Sequence, residues 1–136
     1  MEFPINRVMM KLKRHSYYLL PYNEKNIRKF KSSDNMLKHA RCNDDTSGWF
    51  FVNRKSGDMV GYIGWENDIV VALEVSKEYE GRGYASRLLK LAWCRDANKL
   101  SVNKDNEHAI DVYKHLGYKE YDSDDNMLYM EKRSVE

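Results

Sequence analysis

Proline and cysteine are both scarce in this chain: Pro4 and Pro21, Cys42 and Cys94, and no others in 136 residues. Two cysteines make neither a disulfide framework nor a metal-ligand pattern, so a reducing, cytoplasmic setting is expected and no metal is predicted. No Ser/Gly-rich or Pro-rich linker divides the chain, and no internal repeat is visible. Residues 1–136 are therefore expected to form a single domain around one core. Long apolar runs are missing too. Stretches such as Tyr17–Leu20 are far too short for a membrane span or a secretory segment. An excess of one charge is also lacking: 23 Lys+Arg against 21 Asp+Glu gives a net charge of +2. That balance predicts no nucleic-acid partner. The start is locally basic, with Arg7, Lys11, Lys13, Arg14 and His15 around Met9, Met10 and Leu12. Residues 1–16 read as a solvated arm or an edge strand.

What is present is a mixed pattern. Hydrophobic residues make up 42% and charged residues 32%, a globular rather than a disordered composition. Tyr17–Tyr22 reads as a strand and Glu24–Arg41 as helix, broken near Ser32-Ser33-Asp34 into two short helices or a helix and a loop. Trp49–Asn53 and Met59–Trp65 form a hairpin around Lys55-Ser56-Gly57-Asp58. Ile69–Val75 is a nearly continuous apolar run, as in a strand covered on both faces. Tyr84–Ala97 is helical, with Ala85, Leu88, Leu89 and Ala92 on one stripe and Leu91 beside it. Lys99–Asn103 is strand, and Asn106–Leu116 is helix closed by Gly117. Tyr118–Asp122 and Met127–Lys132 are final strands. The order β-α(α)-β-β-β-α-β-α-β-β predicts an α/β fold, a sheet flanked by helices.

The most informative segment is Val70–Leu91, where an apolar strand enters a charged turn, passes two glycines and restarts as an amphipathic helix. Gly81 and Gly83 allow tight backbone folding and put no side chain in a ligand's way. The first turn of the helix offers unpaired N–H groups and the positive end of its dipole, which suits a phosphate or pyrophosphate. The turn is not a dinucleotide-binding fingerprint, which would need glycine at Ser86, nor a P-loop, which would need Gly-Lys-Ser/Thr.

The wider spacing narrows the reading. Glu80-Gly81-Arg82-Gly83-Tyr84-Ala85 resembles the R/Q-x-x-G-x-G/A signature of the Gcn5-related N-acetyltransferase (GNAT) family. Asn106, Ala109, Tyr113, Gly117 and Tyr118 resemble the same family's N-x-x-A-x-x-x-Y-x-x-x-G-F/Y helix. The resemblance spans residues 69–118. It implies the GNAT fold, a mixed and mostly antiparallel sheet flanked by helices, and acetyl-CoA as co-substrate. It also implies that residues 69–118 form the acetyl-CoA-binding and catalytic core. Backbone N–H groups from Gly81, Arg82, Gly83, Tyr84, Ala85 and Ser86 would take the pyrophosphate, with the Arg82 guanidinium adding a charge-assisted contact. Leu73, Glu74 and Val75 would pair with the pantetheine arm, and the Val75 N–H would polarise the thioester carbonyl. Tyr113 would protonate the departing thiolate, and Asn106 would touch the coenzyme. Glu80 departs from the family's Gln or Arg. A carboxylate there lowers the expected coenzyme affinity by roughly 1 kcal/mol or less if it is solvated.

Each role has a plainer counterpart: a solvated turn arginine, core side chains at Leu73 and Val75, a buried aromatic at Tyr113, a helix cap at Asn106. The base that deprotonates the acceptor is open among Glu74, Glu66, Asp68, His108 and water, with Glu74 the candidate carried forward. The reaction implied by the resemblance is direct attack of a primary amine on the bound thioester in a ternary complex. A polypeptide amine is preferred over a small amine, because the short segment between the first two strands leaves an open wall. A non-catalytic member that binds CoA or a protein partner is the alternative. No membrane partner is expected, and the chain is expected to be a monomer or homodimer.

Overall fold

The computed structural model describes residues 17–31, 37, 40 and 42–133. Among these residues, seven strands and three helices follow one another as β1 (Tyr17–Pro21), α1 (Glu24–Phe30), β2 (Ser47–Asn53), β3 (Met59–Glu66), β4 (Ile69–Val75), α2 (Tyr84–Trp93), β5 (Lys99–Asn103), α3 (Glu107–His115), β6 (Lys119–Ser123) and β7 (Met127–Glu131). A short 3₁₀ turn, Lys77–Tyr79, lies between β4 and α2. The expected basic arm at 1–16 and much of the second half of the 24–41 helix lie outside the described residues. Within them, α1 stops at Phe30, because Lys31 is already extended.

The strands form one sheet in the order β1-β2-β3-β4-β5-β7-β6. Every neighbouring pair is antiparallel except β4 and β5. This is the mixed, mostly antiparallel sheet that the GNAT resemblance implies, flanked by helices as the alternation of elements predicts. α2 and α3 pack on one face, in a cluster holding Leu88, Leu89, Leu91, Leu100, Val102, Tyr118 and Met130. α1 packs on the other face over the β1–β3 half, with Tyr22, Ile27, Leu37, Phe50 and Tyr62.

Two β-bulges decide which side chains enter which core. Between β3 and β4 the pairing runs Glu66↔Ile69 and Trp65↔Val70, then resumes at Gly64↔Ala72, so Val71 has no partner of its own. An extra residue reverses the in/out alternation downstream of it. Val70 faces the α2/α3 cluster, and so do Leu73 and Val75. Ala72 packs with the α1 cluster instead. Val60 is the extra residue between β2 and β3, and it likewise puts Val60 and Ile63 on one face.

Both long crossover helices end in the same device. At α3, the Gly117 N–H donates to the Lys114 carbonyl and the Tyr118 N–H to the Tyr113 carbonyl, with Gly117 at φ 98. That is a Schellman ending, with the left-handed residue supplied by glycine. At α2, the Asp96 N–H donates to Trp93 and the Ala97 N–H to Ala92, with Asp96 at φ 66. Here an aspartate takes the left-handed position, so α2 stops at Trp93 and not at Ala97 as its apolar periodicity suggested. Ala97 is fully buried as the hydrophobic residue that closes the motif. A left-handed non-glycine residue costs about 1–2 kcal/mol before local hydrogen bonding offsets it. Asp96→Gly is therefore expected to stabilise the fold by about 0.5–1 kcal/mol, seen as a raised urea midpoint at unchanged m-value. An unchanged or lowered midpoint would mean that the aspartate side chain holds this turn in a way its backbone does not reveal.

Candidate active site

Among the described residues β4 and β5 are the only parallel neighbours, and they pair over just two registers, Ile69↔Lys99 and Val70↔Leu100. Beyond Val70 the bulge at Val71 turns β4, and the two strands part. The opened side of β4 carries backbone polar groups. The Ser76 N–H donates to the Val60 carbonyl at 2.7 Å, toward β3. Successive N–H groups alternate along an extended strand, so those of Val75 and Leu73 face the gap left by β5. Their side chains are partly buried against the α2/α3 cluster, as their apolar character demands.

Immediately beyond β4 comes the glycine turn. Gly81 and Gly83 take φ 76 and 83, conformations that other residues pay for. A Cβ on either would meet nothing within 4 Å, so the glycines serve backbone conformation, and the space outside the turn is open. Gly83 is the N-cap of α2, and its carbonyl accepts the Arg87 N–H at 3.3 Å. No side chain caps this end, and no acidic residue stands in the first turn. The N–H groups of Tyr84, Ala85 and Ser86 thus point outward at the positive end of the helix dipole.

Aromatic contacts fix the turn to the sheet. Tyr84 is buried, its ring edge-on to Tyr17, Phe51 and Tyr79. Its hydroxyl donates to that of Tyr17 on β1. Burial, and then the Tyr17 hydroxyl, push the Tyr84 phenol up to about 12. The Tyr79 hydroxyl accepts from the Asn53 amide at 3.2 Å. Arg82 lies over the Tyr79 ring and Arg87 over the Tyr84 ring, at 5.5 and 5.4 Å. Two guanidinium groups therefore flank the open N–H groups. Glu80 is exposed, where water screens its charge.

Tyr113 projects from α3 into the same cluster as Leu73 and Val75. Its ring meets Tyr118 edge-on at 6.0 Å, the side-chain contact that accompanies the Schellman ending. Desolvation alone raises its hydroxyl above the usual phenol value, and no buried polar atom lacks a partner among the described residues. The phenol is neutral, a proton donor rather than an acceptor, at any physiological pH. The side chain of Asn106 caps α3, accepting from the Ala109 N–H at 3.2 Å. Its Oδ1 is occupied by the cap and its amide N–H groups remain available to a ligand.

Glu74 sits on the opposite face from Leu73 and Val75. One carboxylate oxygen, Oε1, accepts from the Tyr62 hydroxyl at 2.8 Å and from the Leu37 N–H at 3.3 Å. Tyr62 is buried, stacked on Tyr22 at 5.5 Å. Burial, and then the Glu74 carboxylate, raise its hydroxyl well beyond the ordinary phenol range. Sequence reasoning missed Tyr62 and Leu37. Counting back from the Asn67-Asp68 turn sets Glu74 opposite Gly61, and only the Val71 bulge shifts Tyr62 into register. The other base candidates lie elsewhere: Asp68 is paired with Lys99 at 2.8 Å, and Glu66 accepts from Thr46. His108 is exposed in the first turn of α3.

Comparison with known proteins fits this geometry. No curated protein sequence matches the chain. Among solved structures, YjaB from Escherichia coli superposes with TM-score 0.65 at 16% identity, over 88% of this chain and 99% of that one. NAA60 from Arabidopsis thaliana in complex with a bisubstrate analogue gives 0.63 at 14%, over 84% and 95%, and it is also solved in complex with acetyl-CoA. The N-acetyltransferase PseH from Campylobacter jejuni gives 0.59 at 20%, over 88% and 99%. These are likenesses of fold. The sequence itself matches the acetyltransferase (GNAT) family over residues 9–118, more than half of the chain. With its parted parallel strands and open glycine turn, the chain belongs to that acetyltransferase family.

Proposed function

We propose that this protein is an acetyl-CoA-dependent N-acetyltransferase that moves an acetyl group to a primary amine by direct attack in a ternary complex. The observation that carries the reading is the union of the β4/β5 gap with the uncapped start of α2, both opening on the face where Tyr113 packs. Acetyl-CoA supplies the activated acetyl thioester. The N–H groups of Gly81, Arg82, Gly83, Tyr84, Ala85 and Ser86 hold its pyrophosphate, with the Arg82 charge beside them. Leu73, Glu74 and Val75 present backbone groups to the pantetheine arm, and Asn106 adds an amide contact. The Val75 N–H donates to the thioester oxygen as negative charge develops there. As the carbon–sulfur bond breaks, the Tyr113 hydroxyl gives its proton to the leaving sulfur. Glu74, on the acceptor side of β4, takes the proton that the amine loses. No covalent acyl-enzyme is required. A polypeptide amine is the preferred acceptor, and labelled acetyl-CoA offered to peptides, small amines and cell lysate tests that preference. Efficient acetylation of a small amine with no labelled protein would reverse it.

Coenzyme binding is tested first. Acetyl-CoA should raise the melting temperature in a concentration-dependent way. Gly83→Glu, which adds bulk and negative charge at the anion seat, should remove the rise. No shift at millimolar acetyl-CoA would sink the reading, and a folded Gly83→Glu variant that binds normally would remove the phosphate assignment alone.

Tyr113→Phe keeps the ring contact with Tyr118 and deletes one hydroxyl. It should retain acetyl-CoA binding while kcat at neutral pH falls about 10²–10⁴-fold, the usual scale of general-acid loss. Because burial raises the Tyr113 hydroxyl above the ordinary phenol range, the wild-type protein keeps this proton donor throughout the neutral range. Its contribution should decline only as pH climbs past the ordinary phenol value. Donors with more acidic thiols should narrow the gap between variant and wild type. Wild-type turnover in the variant would leave Tyr113 a packing residue.

A further inference from the structure

A cavity of about 560 Å³ opens at the end of the sheet remote from the glycine turn. β3 meets Val75 at Gly61 and Val70 at Trp65, so Trp65 stands at the far end of that strand pair. α2 covers the same span, ten residues or about 15 Å, from the glycine turn to Trp93. Across β2, Ser47 pairs with Trp65 and Trp49 with Ile63. Cross-strand partners and alternate residues share a face, so Ser47, Trp49 and Trp65 all stand on the α2 side. Arg95 reaches the rim from the turn that follows α2. It is exposed and makes no ion pair among the described residues. Trp65 is only 7% exposed, and its indole N–H meets no acceptor among the described residues. Yet no buried side-chain nitrogen there lacks a partner. The Trp65 N–H is therefore not sealed in, and the open surface that this residue lines is the cavity wall. None of the described lining residues is acidic. Glu66 follows Trp65 on the opposite face of β3, where it accepts from the Thr46 hydroxyl at 3.0 Å. The carbonyls at the end of α2 would repel an anion, but those of Ala92 and Trp93 already accept from Ala97 and Asp96.

We propose that this cavity binds a small aromatic carboxylate, its ring against Trp49 and its carboxylate between Arg95 and the Trp65 N–H. The inference is independent of the acetyl-transfer reading and assigns a second ligand site, because none of the cavity's lining residues belongs to the coenzyme seat. The polar groups that remain unpartnered are donors, so the matching ligand group is an acceptor. A guanidinium is a planar fork that takes a carboxylate through two parallel hydrogen bonds. Arg95 is the one cation among the described lining residues, which matches one negative charge. A phosphomonoester, close to doubly charged at neutral pH, would need a second. The buried indole N–H is satisfied only by an acceptor that solvent or a ligand brings to it. Trp49 is half-buried and no other ring stacks on it among the described residues, so it offers a flat apolar surface. A planar ring fills that surface at little cost in conformational freedom. The volume lies within the usual range of small-ligand sites.

Calorimetry with 2-naphthoate, 2-naphthamide and acetate tests this on the intact protein. 2-Naphthoate should bind saturably and about tenfold more tightly than its uncharged amide, the scale of one charge-assisted hydrogen bond. Acetate, which carries the charge without the ring, should also bind at least about tenfold more weakly than 2-naphthoate. In Arg95→Ala, an exposed position whose loss leaves the core intact, acid and amide should bind alike. Trp65→Phe keeps a ring and deletes the N–H, and it should weaken 2-naphthoate about three- to tenfold. Trp93→Phe, outside the cavity, should change nothing, and saturating acetyl-CoA should leave 2-naphthoate binding as it was. If Trp65→Phe does not fold, the Arg95 variant decides the matter by itself. Four results overturn the site: no saturable binding of 2-naphthoate at millimolar concentration, equal affinity for acid and amide, a preference for the acid that survives Arg95→Ala, or displacement of 2-naphthoate by acetyl-CoA. Unchanged affinity in a folded Trp65→Phe variant overturns the assigned seat for the carboxylate.

Discussion

One extra residue, Val71, sets the geometry on which the candidate site depends. A strand paired regularly with β3 would keep Val70, Ala72 and Glu74 on one face and would run alongside β5. The bulge changes both relations at once. It reverses the alternation, so that Leu73 and Val75 join Val70 over the α2/α3 core. It also adds local twist at the point where pairing with β5 ceases. The gap between two parallel strands would otherwise leave a row of unpaired backbone groups with no purpose. Here those groups face the open side, next to a helix start that is also unpaired. The open side of β4 and the uncapped start of α2 thus lie next to one another in the chain.

The residues around that place serve packing and chemistry together. Tyr113 lends its carbonyl to the ending of α3 and its ring to Tyr118, so the same motif that stops the helix also fixes the phenol's direction. Asn106 caps the start of α3 with one oxygen and keeps its nitrogen free. Tyr84 buries its ring against Tyr17, Phe51 and Tyr79 while its backbone N–H faces outward. A tyrosine-rich layer under a glycine turn is a rigid support for backbone donors, and preorganised donors lose little free energy to reordering when an anion binds.

Element order was legible in the sequence because it rests on periodicity and turn chemistry, which are local. The hairpin around Gly57, the extent of β4 and the Gly117 stop all emerge as read, but β4 is not covered on both faces as its apolar run suggested, since Ile69 and Val71 are exposed. What was not legible depends on partners distant in sequence. The end of α2 was misjudged because Asp96, not glycine, takes the left-handed position, and an aspartate inside an amphipathic pattern gives no stop signal. The Val71 bulge leaves no mark in an all-apolar stretch, since Val-Val-Ala-Leu satisfies either register. Without it, Tyr62 cannot be matched to Glu74, nor Glu74 to the α1 face.

The two donors on Glu74 bear on what that carboxylate can do. Both the Tyr62 hydroxyl and the Leu37 N–H reach Oε1, so the geometry assigns the two oxygens unequal tasks. Oε1 is a structural acceptor that ties Leu37 to β4, and Leu37 is itself fully buried in the α1 core. The lone pairs of Oε2 are the ones left to meet an incoming ammonium. A carboxylate fixed through one oxygen loses less rotamer freedom on binding than a free side chain does. That arrangement suits holding and orienting an amine. On the proposed reading, Oε2 of Glu74 meets the incoming ammonium and takes the proton that the amine loses.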